Sequence, residues 1–154
     1  MRGLFIDHGQ AAARSEAFAL AALAPHLGIE VDRFQLSGPE SLGAGELVGR
    51  NAMLIFSSLF LTRARPGLIA IGLHAGTPYF DCSDAFFASA SKLVADHTDG
   101  RVSLIAPFLD WSKKDVFDYF RDANLPVDLT YSCEAGTDPV CGSCASCRDR
   151  RALT

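Results

Sequence analysis

Four cysteines near the carboxyl end are the residues whose type and spacing best suit a chemical role. Cys133, Cys141, Cys144 and Cys147 follow the pattern C-x7-C-x2-C-x2-C. Thiolates two residues apart in a tight turn can face one ion, and four of them complete the tetrahedral shell of Zn2+. The pattern therefore predicts a structural zinc site with no open coordination position. An iron–sulfur cluster and free thiols are the alternatives, but the proline that follows the last cysteine of ferredoxin runs is absent.

Glycines and arginines surround these cysteines. We expect Gly136 and Gly142 to supply the turns that let backbone amides approach the sulfur atoms. Three arginines, Arg148, Arg150 and Arg151, follow the last cysteine. A solvated basic tail is favoured for them over a contact with phosphate.

The composition limits the classes of protein to consider. The chain has 154 residues, of which 49% are hydrophobic, so one domain with a substantial apolar core is expected. A net charge of −4 argues against binding to duplex nucleic acid. We see no signal peptide and no apolar stretch of about 20 residues that would span a membrane, which predicts a cytoplasmic protein with reduced or metal-bound cysteines. Cys82 is expected to be a buried core residue rather than a nucleophile.

Strands and helices alternate along the chain. Strands are predicted over Gly3–His8, Ile29–Leu36, Gly67–Leu73 and Val102–Ala106, and helices over Ala11–Leu27, Asn51–Arg63, Ser83–His97 and Ser112–Ala123. This alternation predicts an α/β fold, with a mostly parallel sheet flanked by helices. Gly28 is expected to end the first helix, Ser112 and Asp115 to form a capping box, and Ser37–Gly45 to be a loop. Ligands of such sheets bind at the carboxyl ends of strands, here near residues 7–10, 36–38, 72–76 and 107–111.

Several short motifs occur in a recognisable order. They are FIDHGQ at 5–10, GRN at 49–51, YFDCSDAF at 79–86, Pro107 with Lys113, and then the four cysteines. In this order they resemble the QueC family, the 7-cyano-7-deazaguanine synthases of the N-type ATP pyrophosphatase or PP-loop superfamily. The resemblance covers nearly the whole chain.

The resemblance implies both a fold and an activity. Residues 1–130 would form an incomplete PP-loop α/β domain, similar to the adenine nucleotide alpha hydrolases, and residues 131–154 a zinc-binding tail of that domain. The family adenylates 7-carboxy-7-deazaguanine with ATP and Mg2+, ammonia then gives the amide, and a second activation gives the nitrile preQ0. Zinc is structural in that family, and its members commonly form dimers.

Candidate site residues can be assigned alongside this resemblance. His8 and Gln10 would reach the nucleotide, Arg50 and Asn51 phosphate or purine edges, and Gly72 would admit a ligand close to the backbone. Tyr79 and Phe86 would stack on the deazapurine, Asp81 would accept hydrogen bonds from its guanine-type edge, and Lys113 would neutralise charge developing on the phosphate as the catalytic residue. Ordinary structural roles stay open: His8 as a loop cap, Arg50 in an ion pair, and Phe86 in the core.

One family motif is absent from these 154 residues. The SGGxDS-type loop, which cradles pyrophosphate with backbone amides, does not occur. The sequence is compatible with a truncated chain, with one half of a split enzyme, or with a non-catalytic relative that binds a deazaguanine or a protein partner, as in some bacterial defence clusters. We expect the chain alone to turn over weakly or not at all. We also expect the strand edges left without this segment to be covered by a dimer or a partner chain.

Overall fold

The computed structural model describes residues 1–36, 38, 42 and 46–154. The strands are β1 (Arg2–Asp7), β2 (Glu30–Gln35), β3 (Gly67–Ala70) and β4 (Val102–Ile105). The helices are α1 (Ala13–Leu27), α2 (Arg50–Leu61), α3 (Asp84–Thr98), α4 (Lys113–Asp122) and α5 (Ala145–Leu153), with single 3-10 turns at Phe80–Cys82 and Val127–Leu129. The predicted alternation of strands and helices is confirmed.

The chain divides into two compact units. The terminal unit consists of Met1–Gly45 and Phe117–Thr154, and the central unit is Glu46–Val116. Each unit holds one pair of parallel strands, β1 with β2 in the terminal unit and β3 with β4 in the central unit. The predicted α/β class, with parallel strands flanked by helices, is therefore confirmed. The division into residues 1–130 and 131–154 stays a prediction.

The apolar core of the central unit follows from helical periodicity. In α2 and α3 the buried residues recur at every fourth position, so each helix turns one stripe inward. The cluster consists of Ile55, Leu59, Leu73, Phe86, Ala90, Val94, Val102 and Leu104. Ile55 and Val94 are almost fully buried, at 1% and 0% exposure. This core holds together the two segments that carry the GRN and YFDCSDAF motifs.

Two predicted helix ends are confirmed, the glycine stop of α1 and the capping box of α4. Gly28 ends α1 in the left-handed conformation at φ 60°, and its amide donates to the carbonyls of Ala24 and Pro25. At α4, the Ser112 hydroxyl accepts the Asp115 amide at 3.2 Å, and the Asp115 carboxylate accepts the Ser112 amide at 2.9 Å. This reciprocal pair is a capping box.

One strand is shorter than predicted. β3 ends at Ala70 rather than Leu73, because its partner β4 stops at Ile105 before Pro107, which has no amide hydrogen to donate. Gly72 therefore lies beyond the strand, which corrects the prediction that the strand extends over Gly67–Leu73. Most of the predicted loop Ser37–Gly45 lies outside the described residues. Within the described ranges, no helix combines the length and apolar character needed to cross a membrane.

Candidate metal centre

The four predicted cysteines converge in the terminal unit. Their Sγ atoms all lie within 4.8 Å of one another, and those of Cys141 and Cys147 are 3.9 Å apart. Four thiolates around Zn2+ with bonds of about 2.3 Å would be separated by about 3.8 Å. The donor set and its spacing therefore fit one tetrahedral metal ion of the kind that thiolates prefer, which is zinc or iron.

Backbone amides point at the sulfur atoms, as the glycine pattern predicted. The amide of Cys141 donates to Cys133 Sγ, that of Cys144 to Cys141 Sγ, and that of Cys147 to Cys144 Sγ, each at 3.4 Å. Gly142 adopts a positive φ of 71° in the turn between the second and third cysteines. Such amide donors stabilise thiolates, which are the form that binds metal.

The pKa values of the thiols move in opposite directions. The backbone amide of Cys141 holds the pKa of Cys133 down to about 5, whereas burial raises the pKa of Cys147 to about 12. Thiolates packed this closely repel one another, so they do not all ionise readily by themselves. A divalent cation among them would supply the charge that favours all four thiolates.

Gly136 fastens the cysteine-rich segment to α1. Its φ is 70°, and a Cβ atom built on it would lie 2.0 Å from the carbonyl oxygen of Ala11. The Ser15 hydroxyl also donates to the Gly136 carbonyl at 3.2 Å. Glycine is required here on two grounds, because the backbone is left-handed and because another backbone passes in contact.

The helix α5 was not predicted from the sequence. It begins directly after Cys144, whose Sγ accepts the Cys147 amide in the position of a helix cap. Its positive dipole end therefore faces the sulfur atoms, where it favours negative charge. Glu134 also accepts from the amide and the hydroxyl of Ser146, at 3.1 and 2.7 Å. The signal that could have revealed this helix is the pair Arg150 and Arg151, since basic residues are typical of a last helical turn.

The arginines of α5 belong to a helix and hydrogen-bond to nearby groups, while Arg148 and Arg151 stay exposed to solvent as predicted. Arg148 donates to the Ser143 carbonyl, and Arg151 donates to the Gly142 carbonyl at 3.0 Å. Arg150 is partly buried and donates to the Val127 carbonyl at 2.7 Å and to the carbonyl and hydroxyl of Thr130 at 3.2 and 2.7 Å. The sequence could not reveal these partners, because the fold brings them to the arginines and most of them are backbone carbonyls.

In the central unit, Asn51 joins two of the predicted motifs. Its side chain is buried, and its amide nitrogen donates to the Asp81 carbonyl at 3.0 Å and toward Cys82 Sγ at 3.6 Å. The Asp81 carboxylate accepts the backbone amide of Asn51 at 3.2 Å. Asp81 thus caps the start of α2 from a distant part of the chain, in place of a local capping side chain at Gly49. Contacts of Asn51 and Asp81 with a ligand stay predictions.

The other predicted residues of the central unit are distributed between core and surface. Phe86 is buried in the core and meets the exposed ring of Phe80 edge-on, with centroids 6.0 Å apart. Cys82 packs against the same core, in keeping with the interpretation as a core residue. Tyr79 is 37% exposed. The stacking roles of Tyr79 and Phe86 stay predictions.

Three further predicted positions lie at the ends of elements. Arg50 is the first residue of α2 and Lys113 the first of α4, and both are exposed. Gly72 has nothing within 4 Å of an added Cβ, so packing does not require a glycine there. Roles of these three residues toward a nucleotide or a deazapurine stay predictions.

His8 and Gln10 belong to the terminal unit. The Gln10 side chain accepts the His8 amide at 3.0 Å and donates to the Glu16 carboxylate at 2.8 Å. The His8 Nδ1 atom is buried and has no hydrogen-bond partner among the described residues. In the turn after β1 the capping side chain is therefore that of Gln10, whereas His8 was the residue considered as a loop cap. The nucleotide-binding role of both residues stays a prediction.

The fold and the sulfur cluster define an α/β protein with a cysteine-rich end that could hold a metal ion. The family model described as "Queuosine biosynthesis protein QueC" matches residues 46–153, which include all four cysteines. The chain therefore belongs to the QueC family.

Relatives in this family carry the name 7-cyano-7-deazaguanine synthase. That of a Sulfurihydrogenibium species is 39% identical over 89 residues, covering 53% of this chain and 40% of the relative. That of Aquifex aeolicus is 37% identical over 105 residues, covering 63% and 48%. That of Methanothermobacter thermautotrophicus is 28% identical over 183 residues, covering 98% and 82%. The chain thus spans about half the length, or less, of the first two of these relatives.

Proposed function

We propose that the chain contributes the deazaguanine-binding and metal-binding parts of a QueC-like ATP-dependent ligase. In this reaction the carboxylate of 7-carboxy-7-deazaguanine attacks ATP, forms an acyl adenylate and releases pyrophosphate. Ammonia displaces AMP to give the amide. The amide oxygen attacks a second ATP and releases pyrophosphate, and loss of AMP with the amide protons leaves the nitrile preQ0.

The junction of Asn51 with Asp81 carries this proposal. It connects the GRN and YFDCSDAF motifs through three hydrogen-bond contacts around a buried amide side chain. Arg50 and Tyr79 flank this junction and are exposed, so a ligand can reach them. The Asp81 carboxylate is half-buried and keeps acceptor capacity beyond its bond to Asn51, which suits the donor edge of a guanine-type base.

The charged and polar groups have complementary proposed roles. Arg50 and Lys113 would balance the charge of the phosphates and of the adenylate leaving group, since fixed cations stabilise charge developing in a transition state. His8 and Gln10 would contact the nucleotide from the end of β1. The cysteine centre would hold zinc in a structural role, and it takes no part in the chemistry.

The SGGxDS run is absent from the 154 residues, so the experiment supplies it separately. Purified chain is mixed with ATP, Mg2+, ammonia and 7-carboxy-7-deazaguanine, with and without a polypeptide carrying the missing strand and loop. Release of pyrophosphate that depends on the deazaguanine acid, followed by nitrile formation, is expected in the complemented mixture. Binding of 7-carboxy-7-deazaguanine is measured in parallel by calorimetry.

A matched pair of variants assigns the reaction to the proposed site. Asp81→Asn keeps an oxygen for the Asn51 amide and removes the charge, so we expect weaker binding of the deazaguanine acid in a folded protein. Asp99→Asn removes one charge at a left-handed helix cap, a conformation that asparagine tolerates, and should leave binding unchanged. Equal affinities of the two variants would reject the assignment of Asp81.

A second candidate is a non-catalytic or split-subunit protein that binds a deazaguanine or a protein partner. In such a protein the buried junction of Asn51 with Asp81 would organise a binding site without adenylate transfer. Binding of 7-carboxy-7-deazaguanine without pyrophosphate release, even after complementation, would favour this candidate. A stable dimer or a captured partner strand in size-exclusion experiments would fit the expected cover of the exposed strand edges.

A further inference from the structure

The turn between Cys141 and Cys144 contains two peptide groups whose carbonyls each accept a hydrogen bond from an arginine. A peptide unit is planar, so the carbonyl of one residue and the amide of the next point in opposite directions from one rigid group. The amide of Cys144 donates to Cys141 Sγ at 3.4 Å. The Ser143 hydroxyl also donates to this sulfur, at 3.6 Å.

The carbonyls of these same two peptide groups are bound to arginines. The Gly142 carbonyl, which shares its peptide with the Ser143 amide, accepts from Arg151 at 3.0 Å. The Ser143 carbonyl, which shares its peptide with the Cys144 amide, accepts from Arg148. The Ser143–Cys144 peptide is therefore held between the Arg148 guanidinium and Cys141 Sγ, and the preceding peptide is held at its carbonyl by Arg151.

The geometry of α5 accounts for this arrangement. Arg148 and Arg151 are three residues apart and lie on one face of the helix. Gly142 allows the close approach, since a Cβ atom on it would lie 3.3 Å from the Arg151 guanidinium. Arg150 lies on another side and binds the carbonyls of Val127 and Thr130 instead.

We infer that Arg148 and Arg151 are positioning residues of the metal centre, which hold the two peptides of the turn after Cys141 and orient the Cys144 amide toward the Cys141 sulfur. A cation on a carbonyl strengthens the donor at the other end of the same peptide, because hydrogen bonds in series polarise one another. Loss of either guanidinium should speed the release of bound metal.

This inference rests on the proposed metal centre and not on the ligase reaction. The test loads the full chain with Zn2+ or Co2+ and follows transfer of the ion to a chromogenic chelator. We expect Arg148→Gln and Arg151→Gln to release the ion about 10-fold faster each, since partners of metal ligands typically change metal affinity by such factors. The thiolate-to-cobalt absorption band should keep its intensity at full loading, because all four sulfur atoms are still present.

Matched variants separate positioning from general stability. Arg121→Gln removes the same charge from α4, where the arginine pairs with Asp118, and should leave the release rate unchanged. Arg151→Lys keeps the charge and one donor and should restore part of the slow release. In amide NMR spectra the Ser143 and Cys144 signals should move in Arg148→Gln and Arg151→Gln, and stay in place in Arg121→Gln.

The possible results separate two failures. A chain that takes up neither Zn2+ nor Co2+ overturns the metal centre and this inference together, and leaves the deazaguanine-binding experiment unaffected. Normal loading with release rates equal in Arg148→Gln, Arg151→Gln and Arg121→Gln overturns the inference alone. If a glutamine variant fails to fold, Arg151→Lys tests the inference in its place. A release rate and amide signals equal to those of the wild type in that variant would also overturn the inference.

Discussion

The cysteine-rich segment of the terminal unit and the core of the central unit stabilise the chain by different means. The first gathers four sulfur atoms, several backbone amides and three arginines, and buries few apolar side chains. The second packs two helices and a strand pair around a closed apolar cluster. The first region has directional hydrogen bonds and the donor set for an ion, and the second depends on the removal of apolar surface from water. A protein built in this way should lose the two regions under different conditions.

Metal removal should have the largest effect, and it should be confined to the terminal unit. Structural zinc contributes on the order of 10 kcal/mol of binding free energy in small zinc domains, so a chelator or Cys133→Ser should unfold the segment around α5. Hydrogen exchange is expected to show lost protection there and retained protection in α3. Cys82→Ser is the control, since it should leave the metal content at that of the wild type. Loss of protection in both units at once would contradict the expectation that the two units unfold under different conditions.

A cavity in the central core should destabilise the central unit and leave the metal centre intact. Ile55→Ala removes a side chain that is 1% exposed, and such changes cost about 2–5 kcal/mol. Thermal or denaturant unfolding of the central unit should shift accordingly, while the rate of metal release stays that of the wild type. Leu68→Ala, at a side chain 69% exposed, should change stability by less than about 0.5 kcal/mol. Faster metal release in Ile55→Ala would show that the two regions are coupled.

Gly136→Ala tests how the cysteine-rich segment is fastened to α1. The added Cβ would meet the Ala11 carbonyl, so the loop must move, in addition to a left-handed strain of about 1–2 kcal/mol. Gly28→Ala carries a similar positive φ with nothing within 4 Å, and therefore reports the strain alone. Denaturant unfolding should show a larger loss for Gly136→Ala than for Gly28→Ala. Equal losses would mean that the contact with Ala11 contributes nothing.

The smallest effect is expected at the start of α4. Ser112→Ala removes the helix cap and should cost about 1 kcal/mol. The hydrogen bonds from Ser112 hold the pKa of Asp115 below its usual value, so the folded state favours the carboxylate. This contribution is present above the unfolded pKa of about 3.9 and is lost as the pH falls through the lower folded value. Acid titrations followed by circular dichroism should show a weaker dependence in Ser112→Ala, and an unchanged profile would count against the capping box.

The features that the sequence predicted well have local causes. The Gly28 stop and the Ser112–Asp115 cap depend on neighbours in the chain. The short intervals between the last three cysteines are themselves enough to bring their sulfur atoms close together. The partners of Asn51 and Gly136 could not be predicted, because Asp81 and Ala11 approach them only through the fold. The role of the α5 arginines was missed for the same reason, since backbone carbonyls carry no sequence signal. The length of β3 depended on where its partner strand met Pro107.

The terminal unit is assembled from two stretches that are far apart in the chain, and Ser15 binds Gly136 across 121 positions. The central unit is one continuous stretch. During synthesis on the ribosome, which proceeds from the amino end, the central unit can therefore fold as soon as Val116 has emerged, because all its partners are already present. The contact of α1 with the cysteine-rich segment, by contrast, cannot form before Gly136 has been synthesised. In the cell, a metal ion would then be captured only after the central unit is already complete.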